Sequence, residues 1–289
     1  MTTGDAGERI TIFEVGPRDG LQNEKRLIPA AHKIRLVDML SDCGFSKIEV
    51  TSFVPPKWVP QMADNAEVMA GIARRQGVSY AVLTPNLRGY EGARAARASE
   101  VAIFASASEG FSQANLNASI AESLERLEPV VQAARADGIP VRGYVSCVTD
   151  CPFDGPVKPA SVAKVVASLR DMGCYEVSLG DTIGHGTPET IARMLDAVMQ
   201  ELPPQHLAGH YHDTKGRALD NIEVSIGKGL RTFDSSIGGL GGCPYAPGAA
   251  GNVSTIAVVG KVEEMGFLTG LDRAALEKAQ AFALSLRGA

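Results

Sequence analysis

Short apolar runs and amphipathic stretches alternate along this chain from residue 10 to residue 266, and no linker or low-complexity segment interrupts them. Eight β-rich runs follow one another: ITIFEV, KIEVTSF, SYAVLT, EVAIFASA, VRGYVSC, YEVSLGD, LAGHYHD and TFDSSI. Each is followed by a segment of helical periodicity, among them AAHKIRLVDMLSDCG, NAEVMAGIARRQG, SIAESLERLEPVVQAARADG and ETIARMLDAVMQELP. The runs are nearly continuous in apolar residues, as in a parallel sheet covered on its outer face. Several helical stretches end in glycine, at Gly44, Gly77, Gly138, Gly173 and Gly266, the usual left-handed stop. Eight parallel units close a (β/α)8 TIM barrel of the α/β class. An open doubly wound sheet would carry a glycine-rich fingerprint in its first βα turn, and GPRDG is not one. The expected organisation is one catalytic barrel domain over residues 10–266, with a terminal helix over 271–287.

Composition narrows the function classes. A formal charge of −5, from 28 basic and 33 acidic residues, gives no reason to expect nucleic acid or an anionic membrane as partner. The first ten residues, MTTGDAGERI, lack the apolar core of a signal peptide, and runs such as VAIFASA are too short to span a bilayer. The five cysteines, Cys43, Cys147, Cys151, Cys174 and Cys243, are odd in number and scattered. They read as reduced thiols of a cytoplasmic protein rather than a disulfide framework. Cys147 and Cys151 are spaced for a metal pair, but no second pair completes four ligands.

In such barrels the chemistry lies at the C-terminal ends of the strands. Those ends carry Arg18 and Asp19; Glu49, Thr51 and Ser52; Asn86; Ser108 and Glu109; Tyr144, Ser146 and Cys147; Asp181 and Thr182; and His210 and His212. After the eighth run comes GGLGGCPYAPGAAGN, with Cys243 and Asn252. Residues i and i+2 of a strand share a face, so His210 and His212 can converge on one ion inside a barrel. Asp19 and Asn252 reach the same mouth with a carboxylate and an amide oxygen. Nitrogen and oxygen donors without thiolate suit a six-coordinate Mg²⁺ or Mn²⁺ better than structural zinc. The alternative is two histidines satisfied by neighbours in a buried strand. Arg18 is placed to hold an oxyanion, with a weak surface ion pair as its alternative. Glu49 needs a partner if buried, and Arg18 is the natural candidate. Asp181 is placed to orient Arg18, the waters of the ion or a substrate hydroxyl. Cys243 sits among six glycines between Gly238 and Gly251, where a thiol can exchange a proton or attack a substrate.

The motifs VGPRDGLQNEK, IEVTSFVPPKWVPQM, SLGDTIG, GHYHDT and GLGGCPYAPGAAGN resemble the signatures of the 3-hydroxy-3-methylglutaryl-CoA lyase family, and the resemblance spans almost the whole chain. It implies a TIM-barrel lyase that uses Mg²⁺ or Mn²⁺ to cleave hydroxymethylglutaryl-CoA into acetyl-CoA and acetoacetate. It also implies an acyl-CoA as partner and a homodimer as assembly. Carried over by motif, the metal ligands are Asp19, His210, His212 and Asn252. Arg18 and Cys243 are the catalytic arginine and cysteine, and Glu49 and Asp181 are supporting acids. Gln22, Lys25, Ser52, Ser108 and Tyr144 are expected to contact substrate. The chain departs from the family pattern at Tyr211, which should face away from the lumen, and at His185 and Lys215. Those departures leave the metal set intact and leave open a related 3-hydroxy-3-alkylglutaryl-CoA or another 3-hydroxyacyl-CoA as substrate. A Claisen-condensing acyltransferase on the same barrel and a non-catalytic binding barrel are the remaining alternatives.

Overall fold

The β-branched runs become eight strands: β1 (Thr11–Glu14), β2 (Lys47–Ser52), β3 (Ser79–Leu83), β4 (Glu100–Ser106), β5 (Val141–Ser146), β6 (Glu176–Asp181), β7 (Leu207–Tyr211) and β8 (Thr232–Ser235). The computed structural model describes residues 7–241 and 251–287, and in it the strands close into one barrel. Neighbours run in sequence order, and β1 closes the ring by pairing with both β2 and β8. All eight pairings are parallel. Only a helical return on the outside of the sheet satisfies that geometry.

The helices are α1 (Ala30–Ser41), α2 (Asn65–Gly71), α3 (Leu87–Ala95), α4 (Glu109–Leu116), α5 (Ile120–Ala136), α6 (Pro159–Met172), α7 (Pro188–Val198), α8 (Ala218–Gly227), α9 (Thr255–Glu264) and α10 (Arg273–Ser285). The main core lies between the strands and this ring. Val50, Ile103, Val145 and Leu179 of the strands meet Leu36, Val131, Leu169 and Leu195 of the helices there. The terminal α10 packs on α1, with Phe282 edge-on to His32 and under the Arg35 guanidinium.

Local structure departs from the sequence reading in four places. Residues 65–77 were expected as one helix, but α2 stops at Gly71 and Ile72 turns extended, burying its side chain. Gly77 does adopt a positive φ of 83°, in the turn that follows. The loop after β4 folds its own helix, α4, capped by Ser108, before α5 begins. After β5 a short hairpin pairs Asp150–Cys151 with Gly155–Pro156. Arg18 and Asp19 do not sit on β1 itself. They lie on a single π-helical turn, Gly16–Gly20, where the Asp19 and Gly20 amides both donate to the Val15 carbonyl. Wide turns of this kind are rare and recur at functional sites. Among the described residues, no helix is long and apolar enough to cross a membrane.

Candidate metal centre and active site

Strand period puts His210 and His212 on one face, and the structure turns that face into the lumen. Their rings lie 5.4 Å apart between centroids, tilted by 42°. Tyr211, between them, points outward, and its hydroxyl meets Ser225 of α8 at 2.7 Å. Gly209 makes room for it: a Cβ there would stand 2.9 Å from the Tyr211 and Phe233 rings. Asp19 comes down from the π-turn, and its Oδ2 is 3.8 Å from His210 Nε2. Ligand atoms of Asp19, His210 and His212 all lie within 4.8 Å of one another.

Asn252 arrives from the opposite side. Its backbone bridges His212, and its amide nitrogen donates to Asp19 Oδ2 at 2.7 Å. Gly241 closes this corner with φ of 98°; a Cβ there would press within 2.7 Å of the Asn252 amide. Gly241 and Gly251, the described residues on either side of 242–250, thus flank the cluster: the Asn252 amide donates to the Gly241 carbonyl, and the Asp213 amide to that of Gly251. Cys243 lies outside the described residues.

Arg18 is buried beside the cluster. Its Nη1 donates to Asp19 Oδ1 and its Nε to Glu49 Oε2, both at 2.6 Å. The pairing expected for Glu49 is therefore present. The guanidinium also lies over the Tyr144 ring, 5.7 Å from its centroid. Burial works against its charge, but Glu49 and Asp19 outweigh burial and hold the pKa above its ordinary value. Asp19 shows the converse. Burial opposes ionisation, yet Arg18, His210 and His212 keep its carboxyl well below the usual range. Burial raises Glu49, which keeps Oε1 without a partner among the described residues. His212 is pushed down to about 4 by burial and by the neighbouring His210, so its ring is neutral near pH 7.

The remaining expected residues divide. Tyr144 lies in the lumen, edge-on to His210 with centroids 6.0 Å apart, and accepts from Arg142 at its hydroxyl. Ser52 is fully buried with its hydroxyl unpartnered among the described residues. Gln22 is half-buried and Lys25 exposed, both just beyond the π-turn. The Ser108 hydroxyl is engaged: it caps α4 by accepting from the Phe111 amide and donates to Asp154. Asp181 is also engaged. Thr149 and the Gly186 amide each donate to it at 2.8 Å, which ties it to the β6 loop, and burial raises its pKa. His185 rides on that loop, half-exposed, with Nδ1 3.1 Å from Asp150. Cys147 and Cys151 are buried thiols; Cys151 Sγ lies 2.8 Å from the Ser108 hydroxyl and accepts from two backbone amides.

Two buried acids that bear on the π-turn and on His210 escaped the sequence reading. Glu14, at the end of β1, accepts from the Gly16 and Ile237 amides and from Thr255, and so pins the base of the π-turn. Burial pushes its pKa up to about 7 against those three bonds. Asp234, on β8, lies 3.0 Å from His210 Nδ1. The signal for both was an acid inside a short barrel strand, ITIFEV and TFDSSI.

A (β/α)8 barrel with two lumenal histidines, an ionised aspartate and a buried arginine at its C-terminal mouth defines a class: barrels whose mouth offers a group of side chains that could hold a metal ion. The HMGL-like family model matches residues 9–282, and the chain belongs to that family. It is 57% identical over 269 residues to the 3-hydroxy-3-isohexenylglutaryl-CoA/hydroxy-methylglutaryl-CoA lyase of Pseudomonas aeruginosa, covering 93% of this chain and 90% of that one. It is 54% identical over 281 residues to the mitochondrial hydroxymethylglutaryl-CoA lyase of Bos taurus, covering 97% of this chain and 86% of that one. The crystal structure of the HMG-CoA lyase from Brucella melitensis superposes with a TM-score of 0.96 at 63% identity, covering 97% and 99% of the two chains.

Proposed function

We propose that this protein is a divalent-metal-dependent carbon–carbon lyase that cleaves 3-hydroxy-3-methylglutaryl-CoA to acetyl-CoA and acetoacetate. The observation that carries the reading is the Asp19, His210 and His212 cluster standing against the buried Arg18. The donor set fits a hard cation such as Mg²⁺ or Mn²⁺. It offers a carboxylate held ionised and an imidazole held neutral, with no thiolate. Asn252 completes the set through its amide oxygen, since a half-turn of an amide exchanges oxygen for nitrogen. When bound, such an ion acidifies a hydroxyl that coordinates to it.

The residues of the chain supply the rest. An acceptor at the cluster, Asp19, His210 or a water held there, takes the C3 hydroxyl proton as the C2–C3 bond breaks in a retro-Claisen step. The electron pair passes into the thioester as an enolate and leaves acetoacetate behind. Arg18 keeps its Nη2 free of bonds among the described residues and faces that growing negative charge; Glu49 fixes the guanidinium plane. Cys243 protonates the acetyl carbon, which completes acetyl-CoA. Tyr144 and Ser52 line the lumen for substrate, and Gln22, Lys25 and Ser108 stand at its rim. Asp181 acts by holding the β6 loop. The whole chain serves as one barrel domain, in the cytoplasm and as a homodimer.

One observation keeps a wider substrate in view: the Pseudomonas relative, at 57% identity, is named for an isohexenyl as well as a methyl substrate. Acetoacetate release from hydroxymethylglutaryl-CoA with Mg²⁺ present tests the main reading, and a longer 3-alkyl substrate run beside it tests the second.

A further inference from the structure

The two imidazoles of the cluster are not held alike. His212 buries its Nδ1 without a partner among the described residues. His210 has both nitrogens placed: Nε2 faces Asp19, and Nδ1 lies 3.0 Å from Asp234 Oδ2. Asp234 is itself fixed from below. Arg142 reaches both of its oxygens, Nη2 to Oδ1 at 2.8 Å and Nη1 to Oδ2 at 3.1 Å, and Ser178 donates to Oδ2 at 2.8 Å. Arg142 is fully buried in the barrel. It donates through Nε to Glu176 at 2.7 Å, and its guanidinium lies 4.2 Å from the Phe13 ring centroid.

The hydrogen-bond roles follow from this arrangement. An ionised carboxylate only accepts. Facing Asp234, His210 must therefore carry its proton on Nδ1, which leaves the lone pair of Nε2 directed at Asp19 and the cluster. A histidine whose second nitrogen is bonded to a carboxylate is fixed in tautomer and ring orientation as a ligand.

We propose that Asp234, locked by Arg142 and Ser178, is a positioning residue for metal binding: it presets His210 as the oriented ligand, while His212 has no such anchor. The proposal rests on the reading of His210 as a ligand. It accounts for a fully buried arginine among the strands, which gains its place by holding Asp234 in the accepting state.

The test uses the full chain and Mn²⁺ alone as probe, with free Mn²⁺ counted by electron paramagnetic resonance. Asp234→Asn should weaken Mn²⁺ binding by about 10–100-fold, because an asparagine can turn its NH₂ to Nδ1 and favour the wrong tautomer. Glu176→Gln removes another partner of Arg142 that does not touch His210, and Mn²⁺ affinity should stay within about twofold of wild type, well below that second-sphere loss. Equal affinity in wild type and Asp234→Asn overturns the proposal. Asp234→Asn also removes one of the two carboxylates that pair the buried Arg142, so the wild-type chain supplies a second measurement that needs no variant. Histidine ¹⁵N spectra of the metal-free protein at alkaline pH should show His210 protonated on Nδ1. An Nε2-protonated His210 overturns the proposal even if Mn²⁺ binds. Wild-type protein that binds no Mn²⁺ overturns the metal reading beneath it, and is distinguished because the tautomer can still be read.

Discussion

At Arg18 two nitrogens of the guanidinium are already bound, Nε by Glu49 and Nη1 by Asp19, and the fork is set before substrate arrives. Lysine keeps the charge but not the planar fork. Arg18→Lys should therefore lower kcat by more than it raises KM, because the enolate charge appears only once the bond begins to break. Steady-state kinetics on the variant decide this, and an unchanged kcat removes Arg18 from the chemistry. Thiol reactivity is the second residue-scale test. Cys43, Cys147, Cys151 and Cys174 are buried. Burial pushes the thiols of Cys43 and Cys174 up to about 12 and raises Cys147 further. Thiolates are the reactive form. A thiol reagent that inactivates the native protein should thus label Cys243, and Cys243→Ser should lose about 10²–10⁴-fold in kcat, the scale of general acid help. Peptide mapping of the labelled protein shows which thiol reacted. At this scale the sequence was legible wherever one residue type at one spacing fixed the placement: the HxH pair on a strand, and the Arg18–Asp19 step. Asp234 was not legible, because what matters is its contact with Arg142, 92 residues away in the chain, and only barrel closure makes that contact.

The elements explain why the site is where it is. β7 sends His210 inward and Tyr211 outward, so removing the Tyr211 hydroxyl should affect packing alone. Tyr211→Phe loses the bond to Ser225 and should cost about 1 kcal/mol in stability, with Mn²⁺ affinity unchanged; denaturant melts beside metal titrations check both halves. β1 and its π-turn depend on Glu14. Its pKa in the fold is about 7 against an ordinary 4.5. Below pH 4.5 the folded and unfolded chains both keep the proton, and this group's stabilising contribution is fully present. Between about 4.5 and about 7 only the fold keeps it, so stability falls as pH rises through that window. Glu14→Gln keeps a neutral carbonyl for the Gly16 and Ile237 amides and should flatten the decline. Thermal melts across the window show it, and an unchanged slope would mean that Glu14 titrates normally. The alternation of elements was readable because each strand and helix satisfies its own periodicity. The π-turn, α4 and the hairpin after β5 were not, since segments this short are set by their neighbours: Glu14 pins the turn, and Asp154 in the hairpin accepts from Ser108 at the cap of α4. Ser108 and Asp181 show the same limit. Both stand near strand ends as expected, yet local bonds already occupy them.

For the whole molecule, closure of the barrel matters most. It brings the turn after β1 within hydrogen-bonding distance of Asn252, far along the chain, and places both beside β7. No local signal encodes that meeting, but the order of eight strands does, which is why the strand ends alone point to the grouping of Asp19, His210 and His212. The central claim is that this assembled cluster, once it holds a divalent cation, cleaves hydroxymethylglutaryl-CoA. The direct measurement is acetoacetate formation from that thioester by protein stripped with EDTA, before and after Mg²⁺ or Mn²⁺ is returned. The stripped protein should be inactive, either ion should restore turnover, and His210→Ala or His212→Ala should remain folded and stay inactive when the ion is returned. Full acetoacetate release from the metal-free protein would contradict that claim.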